Sequence, residues 1–292
     1  MSLHSETSPL FIDRLGPPDL VETFAFLDRD PVVNVYLLAL TVRDALAQPR
    51  DEFWGVRREG EIVGLLHLGG QSGAVLPVGE DLSATALLAE HVVARRSFLP
   101  RRFQVIGRFA AVAEIDRRLE ARHIRPRLRR RQVYMAVERG QLAPFERLPE
   151  LRQARPADYD LTFRTGAMLR AEELDEDPRA ADPIAYAKRV EEECRDGYTF
   201  LWTEGRDLKF RASVSARTLD AAQISGVYVP PERRGCGFAK RGMSELCARL
   251  LLESRAVCLF VNDFNAPALA VYRRLGFVNR ADWGSAFYDA RT

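Results

Sequence analysis

The sequence predicts an α/β (α+β) protein of two halves, each a mixed central β-sheet flanked by helices. Three observations carry this expectation. The order strand, two helices, hairpin, strand, helix, strand, helix, strand can be read twice along the chain. Ala222 to Leu252 reads as a strand, a glycine-bearing turn and a helix. The 292 residues, 47% hydrophobic and 29% charged, suffice for two ordinary globular domains.

In the first half, Phe11 to Leu15 starts as a strand, and Pro17-Pro18-Asp19 precedes an amphipathic helix over Leu20 to Leu27. Asp28 to Pro31 breaks it, and Val32 to Ala47 reads as a second helix. Phe53 to Arg57 and Ile62 to Leu68 form a hairpin across the Gly60 turn. Gly69, Gly70 and Gly73 mark a loop before a short strand near Ala74 to Val78. A helix over Ser83 to Arg95, a strand over Arg102 to Gly107, a helix over Ala110 to Arg122 and a strand over Arg129 to Glu138 follow. Gly140 to Pro149 has two prolines and no periodicity, and reads as a linker.

The second half opens with a strand near Leu151, and Asp158 caps a helix running to about Arg170. Glu172, Glu173, Asp175, Glu176 and Asp177 are expected to form an acidic loop. Pro183 begins a helix to about Arg195, and Tyr198 to Thr203 pairs with Leu208 to Ser215 in a hairpin. Gln223 to Val229 is a strand by its β-branched and aromatic content, stopped by Pro230-Pro231. Beyond Arg234 to Ala239, the apolar residues Met243, Leu246 and Leu250 recur at helical spacing. Ala256 to Val261 is a buried strand, and Asn265 caps a helix ending at the C′ residue Gly276. Phe277-Val278 starts the last strand.

A strand, a glycine turn and a helix present free backbone N–H groups to an anion, and Gly235 and Gly237 remove side chains from the approach. The turn fits a pyrophosphate cradle; it equally fits an ordinary structural turn. The Gly-Lys-Ser/Thr ending of an ATPase loop is missing, as is a full dinucleotide fingerprint.

Composition excludes several functions. A net charge of +2 gives no case for nucleic-acid or membrane binding. The cluster Arg125, Arg127, Arg129, Arg130 and Arg131 lacks interleaved aromatics and reads as a solvated or ion-paired face. Met1 to Ser8 carries no apolar signal region, so the expected location is cytoplasmic. The cysteines Cys194, Cys236, Cys247 and Cys258 lack zinc spacing and all four histidines precede residue 124, so no metal is expected. Three of these thiols are expected to be buried; Cys236, in the turn, is either structurally indifferent or a reactive thiol shielded by ligand.

Two motifs in order then bring a specific resemblance. The run V-Y-V-P-P-E-R-R-G-C-G-F-A, followed by V-N-D-F-N-A-P-A-L-A-V-Y-R-R-L-G-F, resembles the GNAT superfamily of acyl-CoA-dependent N-acyltransferases. Arg234, Gly237 and Ala239 meet its Q/R-x-x-G-x-G/A motif, and Asn265, Tyr272 and Gly276-Phe277 meet its second signature. The resemblance covers about Arg152 to Tyr288. It implies a tandem GNAT-like fold: a degenerate, non-catalytic domain of unknown function over 1–140, a linker over 141–150 and a catalytic domain over 151–292.

By the same resemblance, acetyl-CoA is the cosubstrate and an amine the acceptor, with an acetyl or longer acyl group transferred by direct attack. Cofactor contacts are implied at Val227, Tyr228, Val229, Arg234, Gly235, Cys236, Gly237, Phe238, Ala239 and Asn265. Tyr228 and Phe238 also read as packing residues, and Asn265 as a cap. Tyr272 would give the departing thiolate a proton or a strong hydrogen bond, a backbone N–H near Val227 or Val229 would meet the oxyanion, and Glu173 is the candidate in the acidic stretch. That stretch either steers a cationic amine or is merely solvated. The second half has no histidine and its central strand no carboxylate, so the general base is unassigned. The alternative is a module that binds acyl-CoA without turnover.

Overall fold

The computed structural model describes residues 8–205 and 207–289. They divide into two compact units: the described residues up to Tyr134 together with those from Arg280, and Met135–Asn279.

The first unit contains β1 (Leu10–Leu15), α1 (Leu20–Leu27), α2 (Val35–Asp44), β2 (Asp51–Arg58), β3 (Glu61–Gly69), β4 (Ala74–Val78), α3 (Leu82–Ala94), β5 (Arg102–Arg108), α4 (Phe109–Glu120) and the start of β6 (Leu128–Glu138). β1 to β4 pair antiparallel in sequence, and β5 lies parallel to β4. Successive residues of β3 serve opposite faces, as strand geometry requires. Leu65 joins Phe26, Leu27 and Leu38 of α1 and α2, whereas Leu66 joins Leu88, Val92 and Ile115 of α3 and α4. The helix expected over Val32 to Ala47 is shorter at both ends. Asn34 donates its side-chain amide to Leu27 O at 2.8 Å, and Ala45 and Leu46 both turn left-handed. That turn brings Leu46 into the core.

The second unit runs through the end of β6, β7 (Arg152–Gln153), α5 (Tyr159–Leu174), α6 (Pro178–Ala181), α7 (Pro183–Arg195), β8 (Thr199–Glu204), β9 (Asp207–Arg217), β10 (Ala221–Tyr228), α8 (Phe238–Glu253), β11 (Ala256–Asn262) and α9 (Ala266–Arg274). β7 to β10 are antiparallel neighbours, and β11 is parallel to β10. α5 and α7 cover one face, with Leu169, Tyr186, Val190 and Tyr228 in the core. On α8, Met243, Leu246, Cys247 and Leu250 are buried. Each unit is thus a mixed sheet flanked by helices, as the sequence led one to expect.

The last strand, β12 (Val278–Asp289), pairs antiparallel with β5 from Trp283↔Arg108 to Asp289↔Arg102. Spatial contact therefore assigns it to the first unit, although it follows the second along the chain. The segment read as a linker is tied to the second unit. Ala143 N–H donates to Leu275 O at 3.1 Å, and the buried Glu245 carboxylate accepts from Leu148 N–H at 3.0 Å and from Arg147 at 2.9 Å. In the basic cluster, Arg129 is paired with Asp116 and Glu120, and Arg131 lies over the Phe109 ring.

Candidate functional site

The candidate site lies where β10 leaves its parallel neighbour β11. Pairing with β11 ends at Gln223↔Cys258, while β10 continues to Tyr228. On its other side, the register with β9 jumps from Ser225↔Ser213 to Tyr228↔Arg211, leaving one extra residue on β10. Gly226 takes a left-handed φ of 60° in this bulge. The backbone of Ile224 to Tyr228 is thereby outside the β11 ladder, and Val227 is half-buried within it. The bulge interrupts the unbroken strand expected over Gln223 to Val229, and the isolated Gly226 is its one signal in the sequence.

Beyond β10, Pro231–Arg233 makes one tight helical turn and the chain enters the glycine turn. Gly235 and Gly237 have φ of 77° and 80°, and a Cβ on either would meet nothing within 4 Å. Gly237 is the N-cap of α8, so no side chain caps that helix, whereas Asn265 caps α9 by accepting from Ala268 N–H at 3.2 Å. The first N–H groups of α8, including those of Phe238 and Ala239, therefore have no side-chain cap, and the space beside Gly235 and Gly237 is open. Cys236 is exposed, with Sγ 3.6 Å from Arg234 O; Cys194, Cys247 and Cys258 are buried.

Arg234 spans the turn. Its Nε donates to Val229 O at 3.1 Å, its guanidinium lies 5.8 Å from the Tyr228 ring centroid, and its Nη2 lies 2.7 Å from Glu172 Oε2. Arg233 pairs instead with Asp207 at 2.9 Å. Tyr228 is 3% exposed, and among the described residues its hydroxyl has no hydrogen-bond partner. Its ring belongs to the core, so only its backbone is offered to the open edge. Phe238 meets Trp202 edge-on at 5.1 Å.

The acidic stretch differs from the expected loop. α5 runs to Leu174 because Ala171, Glu172, Glu173 and Leu174 all favour helix, which puts both glutamates on its last turn. Asp177 caps the short α6 by accepting from Arg179 N–H. Leu169 lies against the Gly226 position at 3.5 Å, so α5 borders the bulge. Tyr272 on α9 is 6% exposed. Burial pushes its phenol above the ordinary value of 10, and the Glu173 carboxylate pushes it further in the same direction. The structure thus relates Glu173 to Tyr272 and Glu172 to Arg234. Asn265 acts as a cap.

Residues 167–277 match the acetyltransferase (GNAT) family, and residues 51–162 match a domain of unknown function (DUF4081). None of the curated proteins matches the chain. Among solved structures, a GCN5-related N-acetyltransferase from Sphaerobacter thermophilus is similar with a TM-score of 0.59 and 18% identity, over 98% of each chain. A tandem GNAT protein from the clavulanic acid biosynthesis pathway is similar at 0.53 and 16%, over 97% of this chain and 100% of that one. A GNAT-family acetyltransferase from Colwellia psychrerythraea gives 0.53 and 14%, over 95% and 99%. Identities this low show the fold. Among the described residues, no helix is long and apolar enough to cross a membrane.

Proposed function

We propose that this chain, which carries a GNAT domain over residues 167–277 and a DUF4081 domain over 51–162, transfers an acetyl group from acetyl-CoA to an amine at a site in its second unit. The observation carrying this reading is the conjunction of three features: an uncapped helix behind two left-handed glycines, a strand released from its parallel neighbour, and a buried phenol held protonated. In this reading the α8 N–H groups, Gly235, Gly237 and Arg234 hold the pyrophosphate. The free edge of β10 near Val227 and Val229 aligns the pantetheine arm and offers an N–H to the thioester oxygen.

The amine nitrogen attacks the thioester carbonyl carbon, and the carbon–sulfur bond breaks. The amine passes one proton to water before attack, since an ammonium of pKa roughly 10.4 has no lone pair, and a second leaves its nitrogen to water as the amide forms. Glu173 is our candidate for drawing the cationic amine to the site. The departing thiolate belongs to a thiol of pKa roughly 8.5, below that of Tyr272. Tyr272 is therefore assigned the donation of a hydrogen bond to sulfur, with full proton transfer left to solvent.

Calorimetric titration with acetyl-CoA, followed by thiol release against a panel of amines, tests the proposal. Binding with amine-dependent release is expected. Binding without release across the panel would favour a sensor, and failure to bind would remove the cradle assignment.

A further inference from the structure

We infer that Glu172 is an internal competitor of the cofactor's diphosphate for Arg234, so that binding exchanges one anionic partner of that guanidinium for another. This rests on the reading above, in which the Gly235–Gly237 turn receives the diphosphate.

The ion pair joins two elements with separate tasks. Arg234 belongs to the glycine turn, Glu172 to the last turn of α5, and their side chains meet at 2.7 Å. A carboxylate at a helix C-terminus faces the negative end of the dipole, so Glu172 gains by having a cation beside it. The glycine turn has the complementary need, since Arg234 and the α8 N-terminus both present positive charge. Each group thus offsets the other's electrostatic cost through the ion pair.

The pair is also built to separate. Its side chains are 50% and 41% exposed, so breaking it costs little. Two further contacts of the Arg234 guanidinium group, from Nε to Val229 O and over the Tyr228 ring, do not involve Glu172. They hold the guanidinium at the turn when Glu172 leaves. A diphosphate carries more charge than one carboxylate and accepts the planar fork of an arginine, so it displaces Glu172. The released carboxylate stays on the helix turn that carries Glu173, where a cationic acceptor would arrive. Because coupling is reciprocal, a cation that takes Glu172 also favours the cofactor.

A double-mutant cycle read by calorimetry with CoA tests this. Glu172→Gln keeps helix propensity and removes the charge. It is expected to tighten CoA binding by about two- to fivefold, the worth of an exposed ion pair. Arg234→Gln weakens binding, and in that background Glu172→Gln has no further effect. Unchanged affinity in Glu172→Gln overturns the inference. So does an equal gain in both backgrounds, which would reduce the effect to general repulsion between carboxylate and phosphate. If the unaltered protein does not bind CoA, the cradle reading itself fails, and that is seen before any variant is compared.

Discussion

The Glu173 carboxylate, on the last turn of α5, reinforces the protonated state of the Tyr272 phenol on α9. The main cause of the raised pKa is burial, and Glu173 adds to it. The two residues lie 99 positions apart by their numbers, 272 and 173, so the relationship belongs to the tertiary structure. Its chemical consequence is a phenol that stays protonated above pH 10 as well as in the neutral range, where an ordinary phenol is protonated already.

Replacing Tyr272 by Phe is expected to leave acetyl-CoA affinity within about twofold and to lower kcat by about tenfold or more, as loss of one donor to a developing charge does. Titration and steady-state rates on the same preparation separate the two effects. Unchanged turnover would assign the sulfur's hydrogen bond to water.

The pH dependence follows from the sign of that shift. A phenol raised above 10 stays protonated below that pH, so its ionisation produces no alkaline loss of rate between pH 7 and 9.5. In Glu173→Gln the phenol's pKa falls toward 10, because a negative neighbour is gone. Tyrosine absorbance followed during alkaline titration would show the direction.

Gly237→Val should weaken CoA binding by about tenfold or more. A β-branched residue at φ 80° is strained, and its side chain enters the volume that is open beside the α8 N-terminus. Wild-type affinity in a folded variant would move the diphosphate elsewhere.

Glu245 gives an acid-stability prediction. Hydrogen bonds from Arg147, Leu148 N–H and Arg249 lower its pKa from 4.5 to about 2, against the opposing effect of burial. Its contribution is fully present above 4.5, the unfolded value, and is lost as pH falls toward 2. Glu245→Gln should cost on the order of 1–3 kcal/mol at pH 7, with the difference from wild type vanishing near pH 2. Urea denaturation at several pH values would reveal a pH-independent difference if the assignment is wrong.

Gly242 on α8 lies over the Phe210 ring of β9, where an added Cβ would come within 2.4 Å. Gly242→Ala is therefore expected to destabilise by about 1–3 kcal/mol despite alanine's better helix propensity. An increase in the urea midpoint would show that the ring can move aside.

Much of this organisation was legible in the chain. The β10 strand, the Pro230-Pro231 stop, the glycine turn and the Asn265 cap depend on local steric and hydrogen-bonding preferences, which a few adjacent residues express. The end of α5 differs from the expected Arg170 because a run of acidic residues resembles a loop, whereas helix propensity carries the helix to Leu174. The bulge at Gly226 is not legible in the chain because its signal is one glycine, which also fits an unbroken strand.

By itself, the sequence determined most of the elements, their order and the open turn, since periodicity and glycine stereochemistry act within a few residues; the end of α5 and the short α6 lay outside that reading. The tertiary structure alone decided which charges meet and where strands part. Arg234 finds Glu172 across 62 positions, β10 leaves β11 after Gln223, and β12 pairs with β5. Those outcomes depend on packing between distant segments, where burial and Coulomb energy select among partners that the linear pattern leaves equivalent.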